Sequence, residues 1–175
     1  LFRSAKVLGA AGDAGAVVTD DDALGGAVRE RVNHGRRGDV CATFGHNFRL
    51  DALQAAILNA KLDAVPAMVA RRRHIARTYL EALADLPMRL PRLRPGHVWQ
   101  CFCVELDRRD ALAEALEARG VASAVYYRTP IHRHPAFAEQ VVIGEVRRSE
   151  RAAARSLCLP IYPEMADEAV HRVVD

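Results

Sequence analysis

Apolar positions along the chain fall into alternating strand-like and helix-like runs, with proline and glycine at the joints. "AGAVVTDD" reads as a short buried strand, and the turn at Asp20 to Asp22 is placed to cap a helix from about Ala23 to Asn33. "HGRRGDVCATFGHN" has three glycines, mixed charge and no periodicity, so it reads as a loop. Leu50, Leu53, Ile57, Leu58, Leu62 and Val65 then recur at helical spacing, and Pro66 is suited to open a second helix at its first turn.

Pro87, Pro91 and Pro95 punctuate the next segment, which reads as a linker into a smaller subdomain and divides the chain into residues 1–86 and 87–175. Beyond it, "VWQCFCVEL" predicts a strand, "RDALAEALEARG" a helix stopped at Gly120, and "VASAVYY" another strand. "TPIHRHP" is a proline-bracketed loop, "EVRRSERAAARSLCLPIYP" predicts a helix ending before Pro160, and "DEAVHRVVD" is helical again. Such alternation predicts an α/β or α+β lobe.

Composition narrows the function classes. Half of the 175 residues are hydrophobic, enough for one sizeable core or one core plus part of another. No apolar run approaches the length of a bilayer span, and no charged-then-apolar leader opens the chain, so a cytoplasmic location without membrane contact is expected. The net charge of +3 comes from interleaved acids and bases, which excludes the basic stripe of a nucleic-acid binder. Cys41, Cys101, Cys103 and Cys158 show no framework spacing and fit reduced thiols, with Cys101 and Cys103 on one side of a strand and expected in the core. The chain begins at Leu1 and stops at Asp175 inside a helical pattern, so a fragment is expected.

Candidate chemistry centres on Lys6. The chain has 25 basic residues, and lysine occurs among them at positions 6 and 61 alone. Gly9, Gly12 and Gly15 follow in a G-x-x-G-x-x-G spacing, which is not the dinucleotide fingerprint and reads as a tight turn. A lysine amine beside such a turn is an exposed cation by default and a nucleophile toward carbonyls when its environment favours the free base.

A resemblance changes the weight of that residue. "AKVLGAAGDAGAVVTDD", "NHGRR", "GHNFRLDALQAAILNAKLD", "RRRHIARTYLEAL", "HVWQCFCVEL", "RRDALAEALEARGVASAVYYRTPIHRHPAF" and "LCLPIYPEM" resemble, in order, the later half of the DegT/DnrJ/StrS family of sugar aminotransferases. The resemblance implies an α/β, aspartate-aminotransferase-like fold (pyridoxal-phosphate fold type I), present here as the end of the large domain and most of the small one. It implies pyridoxal 5'-phosphate as cofactor, held by Lys6 as an imine, and transfer of an amino group, with glutamate as donor, to a keto sugar on a nucleotide. The released amine of Lys6 would shuttle a proton, a task closed to a permanently charged guanidinium.

Asn47, in G-x-N-x-R-L-D, matches a family asparagine that reaches the cofactor phosphate of the other subunit, which implies a homodimer. Taken alone it would be a loop residue bonding to nearby backbone. Arg49 on the same loop has a fork suited to a carboxylate or phosphate of the substrate, and reads equally well as an exposed arginine. "YYRTPIHRHP" resembles the family's Y-P-x-P-x-H loop near the sugar nucleotide, which nominates His132 and Tyr127 as substrate contacts. His134 carries no such role, and no third ligand accompanies the two histidines, so no metal is expected. Arg71, Arg72, Arg73 and Arg77 are expected on a solvated helix face with carboxylate partners.

Three departures stand out. The family's S-F-x-P lead-in is replaced by Leu1-Phe2-Arg3-Ser4, which suggests that these four residues are foreign to the gene, and Arg128 replaces a loop proline. The half that would supply the acid for the pyridine nitrogen, the stacking aromatic and the phosphate-binding helix is not in this sequence. A fragment that does not bind cofactor productively, with an apolar face laid open, is therefore expected. A dehydratase of the same fold would carry histidine in place of Lys6; a non-catalytic paralogue or truncated binding subunit remains the alternative.

Overall fold

The computed structural model describes residues 6–137 and 144–175; Leu1-Phe2-Arg3-Ser4 lie outside the described residues. Two compact units divide at Leu1–Pro66 and Ala67–Asp175, about a helix earlier than the boundary at residue 86 suggested by the proline cluster.

In the first unit, α1 spans Asp22–Val32, and the Asp21 carboxylate accepts from the Leu24 amide at 3.0 Å, the capping expected at that turn. A short antiparallel hairpin follows, β1 (Arg36–Arg37) against β2 (Val40–Cys41), inside the stretch expected to be plain loop. Next comes α2, Ala52–Leu62. The strand expected over "AGAVVTDD" does not form: residues 14–19 are irregular, and Val17 and Val18 are 63% and 95% exposed. A strand needs a neighbour for its backbone groups, and the described residues of this unit offer none to that stretch. Apolar burial is thin here. Ala10 and Leu58 are buried, while Phe44, Phe48, Leu50, Leu53 and Leu62 are exposed.

The second unit holds the core. α3 (Val65–Ala82) opens at the boundary with Pro66 in its first turn, where a missing N–H costs nothing. Its buried positions, Val69, Arg72, Ile75, Ala76 and Tyr79, recur every three or four residues along one stripe. β3 (Phe102–Glu105) pairs antiparallel with β4 (Ser156–Leu159), and single bridges add Arg89 beside β3 and Ala124 beside β4. Around this sheet lie α4 (Arg109–Ala118), α5 (Arg147–Arg155) and α6 (Asp167–Val174). Tyr79, Trp99, Phe102, Val104, Ile75 and Leu157 are the large side chains sealed from solvent, each burial stabilising by roughly 1.5–3 kcal/mol.

Several expectations are corrected. "VASAVYY" contributes one bridge at Ala124 and no strand. The helix expected up to Pro160 ends at Arg155, because Ser156–Leu159 pair with β3. Cys101 and Cys103 are half-buried on the face opposite Phe102 and Val104; the bulkier pair takes the core side. Arg72 is not solvated: it is 5% exposed and donates to the carbonyls of Trp99 at 3.1 Å and Ile161 at 2.7 Å. Burial lowers its pKa, and the charge of Glu164 opposes that shift. Arg73 donates to the His97 carbonyl, and Arg71 alone of the four has a carboxylate in reach among the described residues, Asp167 at 2.6 Å.

Candidate active site

Lys6 stands exposed at the start of the glycine-rich loop, with no hydrogen bond or ion pair among the described residues. The loop behind it is pinned by α2. Gln54 Oε1 accepts from the Ala11 amide at 2.9 Å, and Lys61 Nζ donates to the Gly9 carbonyl at 2.8 Å. The two lysines therefore differ in kind: Lys61 fixes the loop that carries Lys6.

Asn47 and Arg49 sit on a second loop built by close backbone contact. Asn33 and Asn47 form an antiparallel bridge, His34 donates its amide to the His46 carbonyl at 2.9 Å, and the His46 and Phe48 amides reach Arg31 and Val32. Gly35, at φ +70°, lies so near Thr43 that a Cβ would stand 1.8 Å from its carbonyl oxygen, so no other residue fits. The "HG" and "GHN" ends of the expected loop thus clamp each other. Arg37 ties the hairpin to α1 through Glu30 at 2.7 Å, and that hydrogen bond, ahead of the charges of Arg37 and Arg31, lowers the Glu30 pKa.

Arg49 Nε donates to Asn47 Oδ1 at 3.0 Å. That bond occupies the amide oxygen and leaves the Asn47 amide nitrogen and the rest of the guanidinium, donors only, at an exposed position. Sequence reasoning named both residues without foreseeing that one orients the other.

In the second unit, Tyr127 is 76% exposed and not packed in a core. "TPIHRHP" forms two short 3-10 turns, Ile131–Arg133 and Pro135–Phe137. His132 is half-buried, its Nε2 3.5 Å from Glu150 Oε1 on α5, whereas His134 is exposed with Nε2 3.3 Å from the Thr129 carbonyl. Glu150 also accepts from Arg133 at 2.5 Å; the Arg133 hydrogen bond and then that of His132 hold its carboxyl below the usual range. Glu150 escaped notice in the sequence, because only the folded α5 brings it to the histidine. Arg128, in place of the loop proline, pairs with Asp110 at 2.8 Å. Among the described residues no group of three potential ligands could hold a metal.

A pyridoxal cofactor needs a reachable amine and anion-binding donors for its phosphate. Lys6 is an exposed amine, and Asn47, its oxygen engaged by Arg49, presents an exposed amide N–H, groups of the two kinds required. The residues present fit the group.

The fold is part of an aspartate-aminotransferase-like α/β protein. The chain belongs to the DegT/DnrJ/EryC1/StrS aminotransferase family, whose model matches residues 2–175. It is 40% identical over 178 residues to the UDP-N-acetyl-3-dehydro-α-D-glucosamine 3-aminotransferase of Acidithiobacillus ferrooxidans, covering 98% of this chain and 47% of that protein. It is also 40% identical over 179 residues to the dTDP-3-amino-3,4,6-trideoxy-α-D-glucose transaminase of Streptomyces venezuelae, covering 99% and 47%. The crystal structure of Streptomyces venezuelae DesV in complex with a ketimine intermediate superposes with a TM-score of 0.92 at 39% identity, over 98% of this chain and 47% of that one. The chain spans about half the length of the curated relatives it matches.

Proposed function

We propose that the polypeptide carrying this segment is a pyridoxal-phosphate-dependent transaminase that moves an amino group from glutamate to the C3 keto carbon of a nucleotide-linked sugar. The observation that carries the reading is the contrast between the two lysines, one held against Gly9 and the other exposed at the head of the pinned loop. The names of both relatives above place the nitrogen at C3, which favours that carbon.

Pyridoxal phosphate, when bound, supplies a carbonyl that exchanges nitrogen and a conjugated ring that takes up the electron pair freed at the donor's α-carbon. Lys6 Nζ would hold the cofactor at rest and, as a free amine, would take the proton from the α-carbon of the amino donor and return one to the sugar carbon that gains nitrogen. Asn47, its oxygen engaged by Arg49, would donate its amide N–H to the cofactor phosphate, and the Arg49 fork would take a substrate anion. His132, oriented by Glu150, and exposed Tyr127 contact the sugar nucleotide.

Exposed Phe44 and Phe48 flank Asn47, which supports a homodimer in which this loop is buried and Asn47 serves the neighbouring subunit. The 175 residues supply one part of such a site and are inactive alone; the location is cytoplasmic, in keeping with four free cysteines. No described helix is long and apolar enough to cross a membrane.

The test is an assay of the full-length polypeptide with glutamate against 3-keto and 4-keto sugars on UDP and dTDP. Release of 2-oxoglutarate with the 3-keto sugars is expected. Turnover confined to 4-keto sugars contradicts the C3 assignment, and none with any sugar contradicts the class.

A further inference from the structure

β3, the residue just ahead of it and β4 bring together three of the four cysteines, and two of them stand directly opposite one another: Cys103 is the register partner of Cys158. Which kind of antiparallel pair this is follows from the neighbouring bonds. The Cys158 amide donates to the Ala124 carbonyl at 2.7 Å and its carbonyl accepts from Ala124 at 3.1 Å, so both backbone groups of Cys158 point away from β3. Glu105, two residues beyond Cys103, likewise exchanges both bonds with Arg89 on its far side, at 2.8 and 3.0 Å. Cys103 and Cys158 are therefore a non-hydrogen-bonded pair, the closer of the two kinds, with Cα atoms roughly 4.5 Å apart. That separation lies inside the range a disulfide spans, about 4.4–6.8 Å.

The surroundings give the two thiols different roles. Cys103 is half-buried and open to a small reagent, whereas Cys158 is 6% exposed. A hydrogen bond from the Cys158 thiol, followed by one from the Ser156 hydroxyl, favours the thiolate at Cys103 and lowers its pKa; the same contact and burial push the Cys158 thiol up. Cys101 shares this face two residues away and is half-buried. Nothing in the transamination reading uses any of these sulfurs.

We propose that Cys103 and Cys158 form a reversible dithiol clasp across β3 and β4, closed by a small-molecule disulfide such as oxidised glutathione and opened by a thiol reductant. Cys103 thiolate attacks one sulfur of oxidised glutathione, forming a mixed disulfide and expelling one glutathione thiolate. Cys158 then gives up its proton and attacks the Cys103 sulfur, forming the intramolecular disulfide and releasing the second glutathione. Two protein thiols are oxidised, one glutathione disulfide is reduced, and the two protons end on the released thiols. The bond ties strands whose other face carries Phe102, Val104, Leu157 and Leu159, so the clasp sits directly on the core of this unit.

The test treats the protein with oxidised glutathione, blocks residual thiols and maps tryptic peptides by mass without reduction. The expected product joins residues 93–108 to residues 156–172 with loss of two hydrogens, and dithiothreitol separates them. The cross-link should persist in Cys101→Ser and disappear in Cys103→Ser, while Cys158→Ser should trap glutathione on Cys103. Should Cys158→Ser fail to fold, the other two variants still decide. A cross-link that survives Cys103→Ser, one that requires Cys101, or mixed disulfides alone in the unsubstituted protein each overturn the proposal.

Discussion

Lys6 and Lys61 carry all the side-chain amines of the chain, and their surroundings separate a reactive candidate from a structural one. Lys6 was nominated through the resemblance of its segment to the family, since the glycine spacing alone reads as a turn beside an exposed cation; the role of Lys61 was not legible, because its partner is a carbonyl 52 residues away. Arg72 shows the reverse failure. A run of three arginines looks solvated, yet position 72 falls on the same helical stripe as Val69, Ile75, Ala76 and Tyr79, and that phase was the available signal. Two buried carbonyls depend on its guanidinium, at about 1.5–3 kcal/mol for each such charged hydrogen bond. Gly35 and Gly38 provide a matched test at this scale. Both have positive φ, but a Cβ at Gly35 meets backbone and one at Gly38 meets open space. Gly38→Ala should cost about 1 kcal/mol and Gly35→Ala several times more. Equal urea midpoints for the two variants would refute the clamp that holds Asn47.

Elements bounded by local chemistry were read well from the sequence: the Asp21 cap of α1, the Pro66 start of α3, and α4 ending before Gly120. Elements defined by a distant partner were not. "SLCL" continues an arginine-rich helical pattern, and only pairing with β3 makes it a strand; "AGAVVTDD" has strand composition without a partner. The junction of α3 with α6 gives a pH test. Asp167 has its pKa lowered by the Arg71 hydrogen bond first and the Arg71 charge second. A depressed carboxylate contributes stability that is complete above its unfolded value, roughly 4, and is lost as pH falls through the folded value. Asp167→Asn should therefore lower the melting temperature near neutral pH, with the difference shrinking below about pH 4 until it is gone. A difference that grows on acidification would contradict that pairing.

For the whole molecule, the two units contrast in burial. The second closes a core around Tyr79, Trp99 and Phe102, while the first leaves Phe44 98% and Phe48 70% exposed beside Asn47. Single exposed apolar residues are ordinary, but two phenylalanines flanking a nominated phosphate ligand fit a surface meant to be covered. Phe44→Ser with Phe48→Ser in the full-length polypeptide should shift sedimentation from dimer toward monomer and lower cofactor affinity together. Loss of neither would remove the shared site.

The proposed transamination depends on one amine, and borohydride reduction of the full-length polypeptide saturated with pyridoxal phosphate addresses it directly. Peptide mapping after reduction should find the pyridoxyl label on Lys6 and none on Lys61. A label on Lys61, or no stable label on either, would contradict the account.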